Sequence, residues 1–363
     1  MLRAQKGAQR ASFVSIPIVA APSSPSRSRR PSRGPRALLR AIVVLLPVLA
    51  LASALAAPVS AHHPGRATDR RIAPRLLPGS VLSDHGISVA VPQPGGFVWG
   101  ELKFPDGTYQ EVGVETTTDG RVFVSNRGSE RAATLDQRYE VAAQGAGATG
   151  VSAVERTTTA GGSAECRDTY RKLYGWRLPR LDWRFNPAGT PAYLRDEDGR
   201  TSRVRAAIVR AQQNITGSDN RCDRGDRVGA KGAVLGDTRR HPNASREGHC
   251  TGGDGRSVIG FGDLPSYSIA MTCVYGLRQG IAAESDILIN NGETRWAVSR
   301  AGCTGSELLL EAGMTHEFGH AYGLAHASVY RNPSLTMQPL VRACSPGHST
   351  LGLGDMLGLE KKY

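Results

Sequence analysis

Five residues in one short stretch carry the strongest chemical signal in the chain: His316, Glu317, His320, Gly323 and His326, spaced H-E-x-x-H-x-x-G-x-x-H. Histidines four apart on a helix project from the same face, so the rings of His316 and His320 can converge on one ion. Glu317 sits beside the first of them, where its carboxylate can take a proton from a metal-bound water without binding the metal. A glycine at 323 lets the chain leave the helix sharply and brings His326 in as a third nitrogen donor. Three protein ligands leave a fourth position for water, the coordination of a catalytic zinc site, whereas a structural site is closed by four ligands. Zinc would lower the pKa of that water to about 7, and Glu317 would complete its activation and pass the proton to a leaving amine. Unrelated histidines on a solvated helix face would not account for the glycine and the third histidine together.

The helix that must carry these residues is predicted to open at Thr304, where Thr304 and Glu307 form a T-x-x-E capping box, and to run through Leu308, Leu309, Leu310 and Met314 to Tyr322. Upstream, Arg203 to Ile215 places Val204, Ala207, Ile208 and Ala211 on one helical face, and Ser285 to Asn290 reads as a strand. Residues 80–143 read as a small antiparallel β module. Its short strands alternate through Ile87 to Val91, Phe97 to Leu102 and Arg121 to Val124, with turns at Asp106-Gly107 and Asp119-Gly120. Residues 144–164, rich in Gly, Ala, Ser and Thr, read as a flexible linker, and residues 165–363 as the domain that holds the metal motif.

The formal charge of +13 suggests nucleic acid at first sight, but nine Lys or Arg and no acid lie in residues 1–61, leaving 36 basic against 32 acidic residues. A nucleic-acid partner therefore loses most of its support. The same segment orders an Arg-rich leader, an apolar run from Ala41 to Ala57 and a small-residue exit ending at Ala61, the layout of a secretory signal with a long basic leader. Pro47 interrupts that run, which is short for a membrane span, so no membrane association is expected once the signal is removed. Six cysteines at 166, 222, 250, 273, 303 and 344 then imply three disulfides in an extracellular protein; Cys303 with Cys344 is the one pairing expected, because the two bracket the metal motif.

From His316 to His326 the sequence resembles the metzincin zinc metalloproteases, and Ser334-Leu335-Thr336-Met337-Gln338-Pro339 resembles that clan's Met-turn. The M-x-P form, together with Leu351, Asp355, Met356, Gly358, Leu359 and Tyr363 at the spacing of a C-terminal helix, is similar to the matrixin branch. The resemblance implies an α+β zincin fold, with a twisted mixed sheet above the active-site helix and a smaller C-terminal part below it. It also implies a secreted, monomeric endopeptidase with one catalytic zinc on His316, His320 and His326, Glu317 as general base and Met337 beneath the metal. Protein or peptide substrates would lie extended along the sheet's edge strand, and the chain from Gln338 to Thr350 would line the pocket beyond the zinc.

The sequence departs from the matrixins at Ala327, where serine is usual, and in having no cysteine between Ala61 and Cys166 to serve as a propeptide switch. If the β module enforces latency, it must use another group. No His and Asp cluster marks a second zinc, His241 and His249 read as surface residues, and Asp254 and Asp263 are the candidates for a calcium site. A mature start near Ala164 would make the β module a propeptide, while one near His62 would make it a spacer or binding module. The competing functional class is an extracellular binding or adhesion protein whose β module carries the function on a protease scaffold; the intact Glu317 argues against it.

Overall fold

The computed structural model describes residues 71–72, 76–84, 86–128, 163–265, 268–277, 280–329 and 331–363. The leader and signal expected over residues 1–61 lie outside them, as does the expected linker apart from its last two residues. The chain is α+β. In order, its elements are β1 (Arg71–Ile72), β2 (Val81–Asp84), β3 (Ile87–Ala90), β4 (Phe97–Lys103), β5 (Tyr109–Thr116), β6 (Val122–Gly128) and β7 (Arg180–Asn186). Then follow α1 (Ser202–Thr216), β8 (Lys231–Asp237), β9 (His249–Cys250), β10 (Ser257–Gly262), β11 (Ala270–Gly276) and β12 (Glu284–Asn290). The chain closes with β13 (Trp296–Ala297), β14 (Leu308–Leu309), α2 (Leu310–Ala321) and α3 (Leu353–Lys362).

Nine strands form one mixed sheet in the order β1-β6-β5-β4-β11-β12-β10-β7-β8. The four strands β8, β7, β10 and β12 are parallel neighbours, while β11 and everything beyond it run antiparallel to the strand beside them. The parallel part reads as apolar runs because both faces are covered: all seven residues of β12 and five of the six of β10 are buried. On one face α1 buries Val204, Ala207, Ile208 and Ala211, the stripe expected from the sequence, and packs with α2 in the larger core. The opposite face of the antiparallel half is covered by the small sheet β2-β3-β9, whose Ile87 and Val89 join Val98, Leu102, Val112, Val114 and Met271. Alternation along β4 thus sends Val98 and Leu102 to one core and Phe97 and Trp99 to the other.

The antiparallel strands expected at residues 80–143 form, but they do not stand apart from the rest of the chain. β4 pairs with β11 along its whole length, from Phe97 opposite Gly276 to Lys103 opposite Ala270, so the hairpins continue the central sheet. A second difference concerns the helix of the metal motif, which opens at Leu310 rather than Thr304. The Leu308 amide donates to Arg295 O, and β14 pairs in parallel with β13, so these residues are committed to strand. The Thr304 amide still donates to Glu307 Oε2 at 2.9 Å, but this half of the capping box shapes a turn ahead of the strand.

The cysteines pair as Cys166–Cys222, Cys250–Cys273 and the expected Cys303–Cys344. No helix among the described residues is long and apolar enough to cross a membrane.

Candidate metal centre

Helix α2 is buried on nearly all sides and carries His316, Glu317 and His320 in its last two turns. It ends where the Gly323 amide donates to His320 O, with Gly323 at φ +91° and Leu324 N donating back to Gly319 O. That turn redirects the chain so that His326 meets the other two histidines. Their Nε2 atoms lie 2.9 Å apart between His316 and His320, and 3.2 Å from each of these to His326. Nitrogens held about 2.0–2.1 Å from one tetrahedral ion would stand roughly 3.3 Å apart, so the triangle is close to the size such an ion requires.

The ring orientations are fixed from behind. His316 Nδ1 lies 2.8 Å from Thr336 O and His320 Nδ1 2.9 Å from Leu324 O. Donation of Nδ1–H to a carbonyl leaves the Nε2 lone pair facing the centre, the tautomer a metal ligand needs. Burial drives His316 well below the usual histidine range, helped by the cation of Lys103, so this imidazole is neutral.

A fourth group completes the cluster, and it comes from β4. Glu101 Oε2 lies 2.8 Å from His320 Nε2 and its Oε1 lies 3.2 Å from His326 Nε2. The donor atoms of Glu101, His316, His320 and His326 all fall within 4.8 Å of one another, and all four residues are buried. Burial by itself would raise the Glu101 carboxyl; the charges of His320 and His326 outweigh it and hold it well below the carboxylate range. Beyond these two imidazole nitrogens, neither carboxylate oxygen has a hydrogen-bond partner among the described residues. A buried carboxylate costs several kcal/mol, roughly, unless a cation meets it. The chemistry of the donor set, three imidazole nitrogens and one carboxylate oxygen, therefore fits a divalent metal ion.

The neighbouring strand supports the third histidine. Glu111 on β5 lies opposite Glu101, with its Oε1 3.2 Å from His326 Nδ1, and it accepts a hydrogen bond from the Tyr174 hydroxyl. The Tyr109 ring sits 3.8 Å from the ring of His326. A carboxylate behind a ligating imidazole raises its basicity and holds its orientation.

Glu317 is 1 % exposed and accepts a hydrogen bond from Thr272 Oγ1 on β11 at 2.6 Å. Burial raises its carboxyl above the ordinary range, opposed by the charge of Lys103. Lys103 follows Glu101 by two residues on β4, so it shares the same face; fully buried, its ammonium is pushed down to about 8 by desolvation, with Glu317 and Glu101 acting the other way.

Met337 packs against α2 at Gly319, the residue before His320. It is 2 % exposed, and its sulfur occupies the space where a side chain at Gly319 would sit. The turn that holds it is fixed by Asp355 at the start of α3, which accepts from Thr336 N at 2.7 Å and Met337 N at 3.3 Å. The five residues singled out from sequence, His316, Glu317, His320, His326 and Met337, are thus brought together. Those not anticipated are Glu101, Lys103, Glu111 and Thr272. A glutamate and a lysine on the same face of β4 as Phe97 and Trp99 were the available sign, since charges on a strand's aromatic face need partners.

Asp254 and Asp263, the calcium candidates, are paired instead with Arg240 at 3.5 Å and Arg246 at 2.8 Å, on the protein surface. His241 is exposed and His249 half-buried, and neither joins the cluster. Comparison with known protein families and with curated proteins gives no match.

Proposed function

We propose that the chain is a secreted, monomeric zinc metalloendopeptidase of metzincin type, nearest in its motifs to the matrixins, acting on protein or peptide substrates. The observation that carries this reading is the convergence of three Nε2 atoms within 3.2 Å, two of them with their tautomers fixed by carbonyls, next to the buried Glu317 on the same helix. His316, His320 and His326 would hold the zinc. When bound, it supplies Lewis acidity that polarises a peptide carbonyl and makes water acidic enough to deprotonate near neutral pH. Glu317 is the residue placed to accept that proton and deliver it to the leaving amine. Its raised affinity for a proton suits a base that must also act as an acid. Thr272 orients its carboxylate through the hydrogen bond from Oγ1. The three disulfides support export to an oxidising compartment.

Protein recovered from the medium of a secreting host should contain about one zinc per chain and, after limited proteolysis, degrade an unfolded protein in a chelator-sensitive way. Glu317→Gln should keep the zinc and lose the hydrolysis. Proteolysis that survives this substitution would refute the assignment.

A further inference from the structure

We infer that the β4–β5 hairpin is a resident inhibitor of the metal centre. β4 fills the groove in which an extended peptide would pair with β11, Glu101 takes the fourth ligand position, and the intact chain is a latent form. The inference rests on the proposed metal centre and adds to it the group that closes the site.

Four observations converge on it. First, β11 runs antiparallel at the end of the parallel strands, the place where an extended peptide would add to the sheet, and β4 already pairs with all seven of its residues. Second, the side chains that β4 turns toward α2 fill the space before the histidines. Phe97 stacks on Trp176, Trp99 lies against Tyr174, Trp176 and His320, and the Lys103 ammonium faces the charge of Glu317. Third, the turn between β4 and β5 reaches the chain beyond Met337: a Cβ at Gly107 would lie 3.1 Å from Leu340 Cβ. The hairpin therefore covers the sheet edge, the metal ligands and the segment expected to line the specificity pocket. Fourth, the only polar partners of the Glu101 oxygens among the described residues are the ligand nitrogens themselves, at 2.8 Å for His320 and 3.2 Å for His326. A carboxylate kept only for packing would gain more from a donor or from an apolar replacement.

The same geometry shows how a peptide strand can lie over a hydrolytic centre without being consumed. β4 is an inner strand, hydrogen-bonded to β11 on one side and β5 on the other, so its carbonyls are occupied in ladders. What it presents to the metal position is a side-chain carboxylate, which holds no scissile bond. A covalently tethered carboxylate competes for the coordination position at an effective concentration of millimolar or more, so a small ligand must displace it before it binds.

The test uses the full chain loaded with cobalt(II), whose visible spectrum reports its ligands, and acetohydroxamate as a small probe of the open position. The wild type should show a spectrum insensitive to millimolar probe. Glu101→Ala and the near-isosteric Glu101→Gln should each change the spectrum of the cobalt protein and bind the probe at least tenfold more tightly. Because the amide preserves the packing of β4, a folding failure of the alanine variant leaves the glutamine variant to decide. Equal probe affinity in wild type and variants, with cobalt bound in all, overturns the inference and leaves the metal centre standing. No cobalt bound by the wild type overturns both.

Discussion

Gly323 joins the last turn of α2 to His326, and its replacement by alanine tests whether that turn builds the metal site. Two separate costs can be worked from the structure. At φ +91° an L-residue meets its own carbonyl, at a cost of about 1–2 kcal/mol. A Cβ there would also lie 2.5 Å from Trp176 O, a main-chain atom that cannot swing aside, since Tyr174 N is bonded to Gly323 O and Arg177 N to Gly280 O. Forcing a methyl group into such a place costs roughly 1–3 kcal/mol more. Gly323→Ala should therefore lower the unfolding free energy of the metal-free protein by about 2–5 kcal/mol, measured by urea denaturation with disulfides intact. Zinc affinity, measured by competition with a chromophoric chelator, should fall by about tenfold or more as His326 shifts. Gly323→Asn separates the two costs, because asparagine tolerates positive φ but keeps the Cβ; it should recover no more than about 1 kcal/mol. A loss below about 1 kcal/mol in the alanine variant, or an asparagine variant as stable as wild type, would refute the reasoning.

Three further outcomes follow from named contacts. Glu111→Gln, which leaves Tyr174 a hydrogen-bond acceptor but removes the charge behind His326, should weaken zinc binding about 10–100-fold in chelator competition; unchanged affinity would show that the carboxylate does not tune the ligand. His348 is pushed down to about 4 by burial, so the unfolded chain takes up its proton near pH 6.5 before the folded one does, and stability should drop as pH falls from 6.5 towards 4, by on the order of 3 kcal/mol. In urea melts at pH 7.5 and pH 5, His348→Gln should shrink that difference, and an identical pH slope would contradict the assignment. The paired substitutions Cys303→Ser and Cys344→Ser open a loop of 41 residues and should cost about 4 kcal/mol; a loss under about 1 kcal/mol would mean that the turn ahead of β14 and the chain after Met337 are held together by other contacts.

The parts of the site readable from sequence are those set by local spacing. His316 and His320 are one helical turn apart, Gly323 must break the helix, and His326 follows within a few residues, so one helix and one turn determine their convergence. The apolar stripe of α1 was readable for the same reason. Glu101 and Glu111 were not, because they reach the histidines only through the pairing of β4 with β11, and period-two alternation says which residues share a face without saying which strand will lie beside it. The β4 pattern reads as a short strand of a separate β module, yet every residue of that strand is buried in the central sheet. The start of α2 was misplaced because the capping motif at Thr304 is also a good turn, and pairing with β13 claimed the next two residues before the helix could begin.

The burial of β11 bears on how a freed form would behave in solution. With β4 in place, Ala270 to Tyr275 have ladder partners on both sides, Gly276 pairs with Phe97, and no side chain of the strand is exposed. Withdraw β4 and one side of β11 becomes a row of unsatisfied amides and carbonyls flanked by apolar side chains, a template for any extended chain, including another molecule of the same protein. The hairpin therefore also acts as a solubility device. Concentrated preparations lacking it should self-associate unless a peptide occupies the strand, and any such peptide should act as a stabiliser against aggregation.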